Sequence, residues 1–185
     1  MTSEATGLVT RAAWFAAQRH ADQRRKGRRS EPYFNHLAEV ANSLAEATDG
    51  NDPALVAAAF LHDTIEDTQT SLEELRTLFG EDIAALVMEV TDDKSLPKLE
   101  RKQLQIATAP KKSPRAKLLK IADSTSNVRA LAADPPVDWS TERIQDYIAW
   151  AEQVIGHCRG LNSKLEQAFD AAVSSARAAV ISRGA

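Results

Sequence analysis

Apolar residues recur at helical spacing through nearly every segment of this chain, and no stretch alternates with the period of two that a half-buried strand needs. Proline and glycine are few and fall mostly between those segments rather than inside them. The expected fold is all-α: a single domain over residues 1–185, a bundle of about eight to nine helices joined by short loops. At 185 residues and 43% hydrophobic content, the chain is long and apolar enough for one sizeable core.

The helix ends can be read in order. Residues 8–25 form a first amphipathic stretch, with Trp14, Phe15 and Ala17 among its apolar members. A loop with Gly27 and Pro32 leads to a helix from about Asn35 to Ala47. Asp52 suits the cap of the next helix, with Pro53 in its first turn, and that helix is expected to carry His62 and Asp63 at its C-terminal end. Ser71 to Glu74 reads as a capping box, and Gly80 suits the end of that short helix. Residues 81–92 continue the helical pattern; a loop to Pro97 precedes a charged helix at 98–107. Ser113-Pro114 starts another, with Leu118, Ile121, Val128 and Leu131 on its apolar side, and Asp134-Pro135-Pro136 stops it. Ser140 and Asn162 open the last two.

Several classes are excluded. No apolar run approaches the roughly 20 residues needed to span a bilayer, and the first residues lack the basic and apolar regions of a signal peptide, so the expectation is a cytoplasmic protein with no membrane contact. One cysteine, Cys158, rules out an intramolecular disulfide and a Cys-based zinc cluster. A net charge of -3 offers no general attraction to nucleic acid. Residues 24–29 do hold five cations in six positions, but no aromatic platform accompanies them. That run lies seven residues before His36, which suggests an anion site rather than a solvated loop.

The chemistry concentrates in Ala57-Ala58-Ala59-Phe60-Leu61-His62-Asp63-Thr64-Ile65-Glu66-Asp67. In a continuous helix, positions 62, 63, 66 and 67 share an arc of roughly 140°. So many acids at the end of an apolar helix need a cationic partner, and a divalent metal is the natural one. His36 and Asp123 are candidate further ligands; Asp123 follows Leu118-Leu119-Lys120-Ile121-Ala122, an unfavourable place for an unpaired carboxylate. His36, His62, Asp63 and Asp123 together make a nitrogen and oxygen ligand set without thiolate, which favours Mn²⁺ or Fe²⁺ over Zn²⁺ and disfavours Mg²⁺. Glu66 and Asp67 are then placed to orient a water and accept its proton. Acids at a helix C-terminus oppose the macrodipole, which is a further reason to seek a function for them.

Longer segments carry a resemblance. Arg24-Arg25-Lys26, Pro32-Tyr33-Phe34-Asn35-His36, Leu61 to Thr68, Val90 to Lys102, Lys120 to Asp123 and Asn127-Val128-Arg129 follow in order. With them the chain resembles the HD-domain superfamily and, within it, the RelA/SpoT-type alarmone hydrolases, most nearly the free-standing small ones. The resemblance covers about residues 8 to 170 and implies an all-helical bundle with one Mn²⁺ ion held by His36, His62, Asp63 and Asp123, and with Glu66 and Asp67 as the water-activating, catalytic acids. It implies a phosphohydrolase that removes the 3′-pyrophosphate of guanosine tetra- or pentaphosphate, giving GDP or GTP. It also allows the 2′-phosphate of NADPH as substrate, and a silent nucleotide-binding regulator is the reading from a different class. The substrate residues it implies are Arg25, Lys26, Asn127, Lys98, Arg143 and Tyr147, in a monomer or homodimer. The chain departs from the pattern at Ser124 and Ser126, where a Lys and a Tyr are common. Those departures are expected to alter phosphate neutralisation or nucleotide packing and to leave metal binding alone, with the basic loop 27–31 partly replacing the Lys.

Overall fold

Side-chain caps place the helix starts, and the residues that do so were legible beforehand. Asp52 accepts from the Leu55 N–H at 2.9 Å, Ser71 from Glu74 at 3.1 Å and Ser113 from Ala116 at 3.2 Å. Ser140 accepts from Arg143 at 3.2 Å and Asn162 from Leu165 at 3.1 Å. Each satisfies an N–H that has no partner inside its own helix.

The computed structural model describes residues 2–184. Among those residues the helices are α1 (Ser3–Arg19), α2 (Phe34–Ala47), α3 (Pro53–Leu61), α4 (Thr64–Asp67), α5 (Leu72–Phe79), α6 (Glu81–Val90), α7 (Lys98–Thr108), α8 (Pro114–Ala133), α9 (Thr141–Gly156) and α10 (Ser163–Gly184), with a 3₁₀ turn at Ala109–Lys111. Nine have eight residues or more, in line with the expected all-α bundle; α4 is a single turn of four. No strand forms among the described residues, only the isolated bridges Arg24–Pro32 and Gly27–Pro136.

Helix α3 is the hub. Its sequence, PALVAAAFL, has no polar side chain, and a helix apolar on every side has to be covered on every side. Leu55, Val56, Ala57, Ala58, Ala59 and Leu61 are buried, with α1, α2 and α6 packed around them. The long helix α8 lies across α2 and α6 and is covered in turn by α10. One apolar core runs from Ala12 on α1 to Val180 on α10.

Three local expectations are corrected. Helix α1 stops at Arg19 rather than residue 25, so the basic run belongs to the following loop. Trp14 is 66% exposed, because the inward face of α1 is made by Ala12 and Ala16. On α8 it is Leu119, not Leu118, that is fully buried.

A fourth correction matters most. Helix α3 does not continue through the acidic cluster. His62 donates from Nδ1 to the Ala59 carbonyl at 2.7 Å, and Thr64 donates to the Leu61 carbonyl at 2.6 Å. These side chains take up carbonyl oxygens of the last turn of α3, and such local bonds compete with helix propagation. The chain turns at His62–Asp63 and restarts as α4, so Glu66 and Asp67 do not hang from the C-terminus of α3 and the macrodipole argument does not apply to them.

Candidate metal centre and groove

Four elements bring the predicted ligands together. His36 lies in the first turn of α2, His62 directly follows α3, Asp63 precedes α4, and Asp123 sits midway along α8. His36 Nε2 is 3.4 Å from Asp123 Oδ1 and 3.7 Å from Asp63 Oδ2. His62 Nε2 is 3.2 Å from Asp63 Oδ2 and 3.8 Å from Asp123 Oδ1. One ligand atom from each of His36, His62 and Asp123 falls within 4.8 Å of the others. Asp63 adds a carboxylate beside both imidazoles, and Tyr33 donates its phenolic hydrogen to Asp63 Oδ2 at 2.6 Å.

Both imidazoles are buried, and neither Nε2 has a hydrogen-bond partner. Buried polar atoms are rarely left unpaired. Two such nitrogens facing two carboxylates form a donor set that fits a divalent cation. Burial pushes the His36 imidazole below its ordinary range. Burial acts the same way on His62, but Asp63 and Asp123 outweigh it and raise that ring well above the ordinary value. Burial also works against ionisation of the two aspartates. His62 and then His36 nevertheless hold Asp63 low, while Lys120, 3.3 Å from Asp123 Oδ2, and the two imidazoles hold Asp123 low. Both stay ionised, as ligands must.

Glu66 and Asp67 border the same cavity of about 180 Å³, with His62, Asp63 and Asp123 in its wall. Glu66 accepts from the Asp92 N–H at 3.2 Å, with Lys94 at 3.7 Å and Arg101 at 3.8 Å. Asp67 accepts from Gln23 Nε2 at 2.9 Å and from Lys94. Burial raises the Glu66 carboxyl above its ordinary value, helped by the nearby charges of Asp63 and Asp92.

A second cavity of about 290 Å³ shares Tyr33, Asp67, Asn127 and Tyr147 with the first, so the two form one groove. Arg25 and Lys26 line this second part. Arg25 donates to Asn127 Oδ1 at 3.3 Å, and Asn127 donates onward to Asp123 Oδ1 at 2.7 Å. Lys98 and Arg143 line neither part. Both lie over the Trp139 ring, at 5.9 and 4.6 Å from its centroid, and Trp139 itself is in the groove wall. Four of the six predicted substrate residues, Arg25, Lys26, Asn127 and Tyr147, thus line the groove, and Lys98 and Arg143 stand beside its Trp139 wall.

Gly27 holds this mouth in place. A Cβ there would overlap the carboxylate and main-chain oxygen of Asp134. In that close approach Asp134 accepts from the N–H groups of Arg28 at 3.1 Å and Arg29 at 3.0 Å. Of loop 27–31 only Gly27 reaches the groove, so the loop does not replace a lysine at Asp123. Lys120 supplies that cation.

Sequence reasoning passed over Tyr33, Gln23, Lys94, Arg101 and Lys120. Tyr33, Lys94, Arg101 and Lys120 stand inside the segments that carried the resemblance, but nothing local marks a lysine or tyrosine as a partner of a distant carboxylate. Ser124 and Ser126 are both buried and neither lines the groove; Ser126 bonds His36.

The sequence matches the HD-domain family over residues 12–148. The chain belongs to the HD-domain family. It is 48% identical over 170 residues to the guanosine-3′,5′-bis(diphosphate) 3′-pyrophosphohydrolase MESH1 of Xenopus tropicalis, covering 92% of this chain and 94% of that one. It is 49% identical over 169 residues to the MESH1 of Homo sapiens, covering 91% and 94%. A solved structure described as a metazoan ortholog of SpoT that hydrolyses ppGpp superposes with a TM-score of 0.86 at 44% identity, over 89% of this chain and 93% of that one. No described helix is long and apolar enough to cross a membrane.

Proposed function

We propose that this HD-domain hydrolase removes the 3′-pyrophosphate from guanosine tetra- and pentaphosphate with one Mn²⁺ ion, releasing GDP or GTP. The carrying observation is the pair of orphaned imidazole nitrogens, His36 Nε2 and His62 Nε2, beside two ionised aspartates at the floor of a cation-rimmed groove. Relatives named for that reaction match the chain nearly end to end.

His36, His62, Asp63 and Asp123 would hold the ion. Bound there, it contributes Lewis acidity toward a phosphoryl oxygen and toward water. The rest falls to the protein. Glu66, with its carboxyl raised above its ordinary value by burial, accepts the proton of the attacking water, and Asp67 orients that water. Water adds to the phosphorus and the P–O3′ bond breaks, its electron pair passing to the 3′ oxygen, which takes up a proton. Lys94 and Arg101, already beside Glu66, offset charge on the departing pyrophosphate. Arg25, Lys26, Lys98 and Arg143 neutralise the remaining phosphates, and Asn127 and Tyr147 position the nucleoside.

The test is hydrolysis of guanosine tetraphosphate by the purified protein with Mn²⁺, and NADPH in parallel. GDP and pyrophosphate in equal amounts are expected. No turnover of the tetraphosphate, with phosphate released from NADPH, would replace the alarmone reading by the NADPH one.

A further inference from the structure

His36 and His62 are anchored differently. His62 Nδ1 donates to Ala59 O, a main-chain atom of the helix just before it, at 2.7 Å. His36 Nδ1 instead reaches across to α8, where it meets Ser126 Oγ at 2.9 Å. Ser126 Oγ in turn lies 2.6 Å from Glu39 Oε2, and the other Glu39 oxygen accepts from Arg129 at 3.1 Å.

The proton positions along this chain follow from its far end. Glu39 is paired with a guanidinium, so its carboxylate only accepts. The single hydroxyl hydrogen of Ser126 therefore goes to Glu39. That leaves the Ser126 oxygen as an acceptor toward His36, so the hydrogen between them belongs to His36 Nδ1. Its Nε2 is then bare, and it is the atom that faces Asp63 and Asp123 without a partner.

We infer that Glu39, acting through Ser126, is a positioning residue for the metal centre, locking His36 in the Nδ1–H form with its Nε2 lone pair aimed at the ion. The geometry is economical. Glu39 stands three residues after His36 on α2, and Arg129 three residues after Ser126 on α8, so each pair shares a helix face. The clamp joins the two helices that carry His36 and Asp123. His36 and Ser126 are both buried, so the contact between them is shielded from bulk solvent. A carboxylate behind a metal-binding imidazole raises its basicity and fixes its ring; here a hydroxyl is interposed.

The inference rests on the metal reading, and Mn²⁺ titration calorimetry on the intact chain separates the two. Wild-type protein is expected to bind one Mn²⁺. Ser126→Ala is expected to bind it about 10–100-fold more weakly, with Ser126→Thr restoring affinity and Glu39→Gln falling between. A wild-type chain that binds no Mn²⁺ overturns the metal reading and this inference with it. A folded Ser126→Ala protein that binds as tightly as wild type overturns the positioning role alone. Long-range ¹⁵N–¹H spectra of the metal-free wild-type histidines give a readout independent of the variants' folding: the proton of His36 is expected on Nδ1, and a proton on Nε2 overturns the inference.

Discussion

Tyr33 holds Asp63 through a 2.6 Å hydrogen bond from its hydroxyl to Oδ2, the oxygen that faces both imidazoles. The phenol stays protonated at any working pH, since burial and then the Asp63 charge raise it above its ordinary value. Its ring stacks on His20 at 5.2 Å and meets the His36 ring edge-on at 5.5 Å, so little freedom remains for the hydroxyl. Tyr33→Phe keeps the ring packing and removes only the donor. The expected result is a loss of about 10–100-fold in Mn²⁺ affinity or turnover, with the melting temperature little changed. Titration and a thermal melt on the same sample check both halves.

Glu66 gives a prediction with a sign. Its carboxyl is raised by burial, then by Asp63 and Asp92, and as a base it works only when ionised. Activity should therefore fall as pH drops through that raised value, and the acid limb of kcat should lie above the ordinary glutamate range. Glu66→Gln should lower kcat by about 10²–10⁴-fold and abolish that limb while leaving Mn²⁺ binding in place. An unchanged limb in the variant assigns the base elsewhere.

The local signals were legible because they are short-range. Asp52, Ser71, Ser113, Ser140 and Asn162 cap helices through bonds three residues long. Asp123 stood out because an ionisable group in an apolar pattern needs a partner. The break after Leu61 was hidden, since it depends on His62 and Thr64 turning back on main-chain carbonyls, a choice composition does not reveal. The contacts of Ser126 were hidden for a related reason. Its identity was noticed, but its direction, toward His36 and Glu39, depends on how α8 crosses α2.

The exposed Trp14 and buried Leu61 make a paired stability test. Leu61 is fully buried in the hub helix, and Leu61→Ala should cost about 2–5 kcal/mol. Trp14 is 66% exposed, so Trp14→Ala should stay within about 0.5 kcal/mol of wild type despite the larger side chain removed. Urea midpoints measured side by side decide it. A large loss for Trp14→Ala would place that ring in the core, as the periodicity alone suggests.

Gly27 offers a way to move the substrate cations without touching them. Any Cβ there collides with Asp134, so Gly27→Ala must push the loop off the end of α8 and strain the bonds from Arg28 and Arg29 to the Asp134 carboxylate. Arg25 and Lys26 precede it directly and line the groove, whereas the four metal-facing residues are on other elements. The expected effect is on binding. Hydrogen bonds to charged groups contribute about 1.5–3 kcal/mol each, so misplacing one guanidinium should raise KM by roughly 10-fold or more. Mn²⁺ affinity should hold, because no ligand lies on the loop. Steady-state kinetics on guanosine tetraphosphate with saturating Mn²⁺ separates the cases. A fall in kcat at constant KM would mean that the loop acts on the chemical step rather than on the substrate's phosphates.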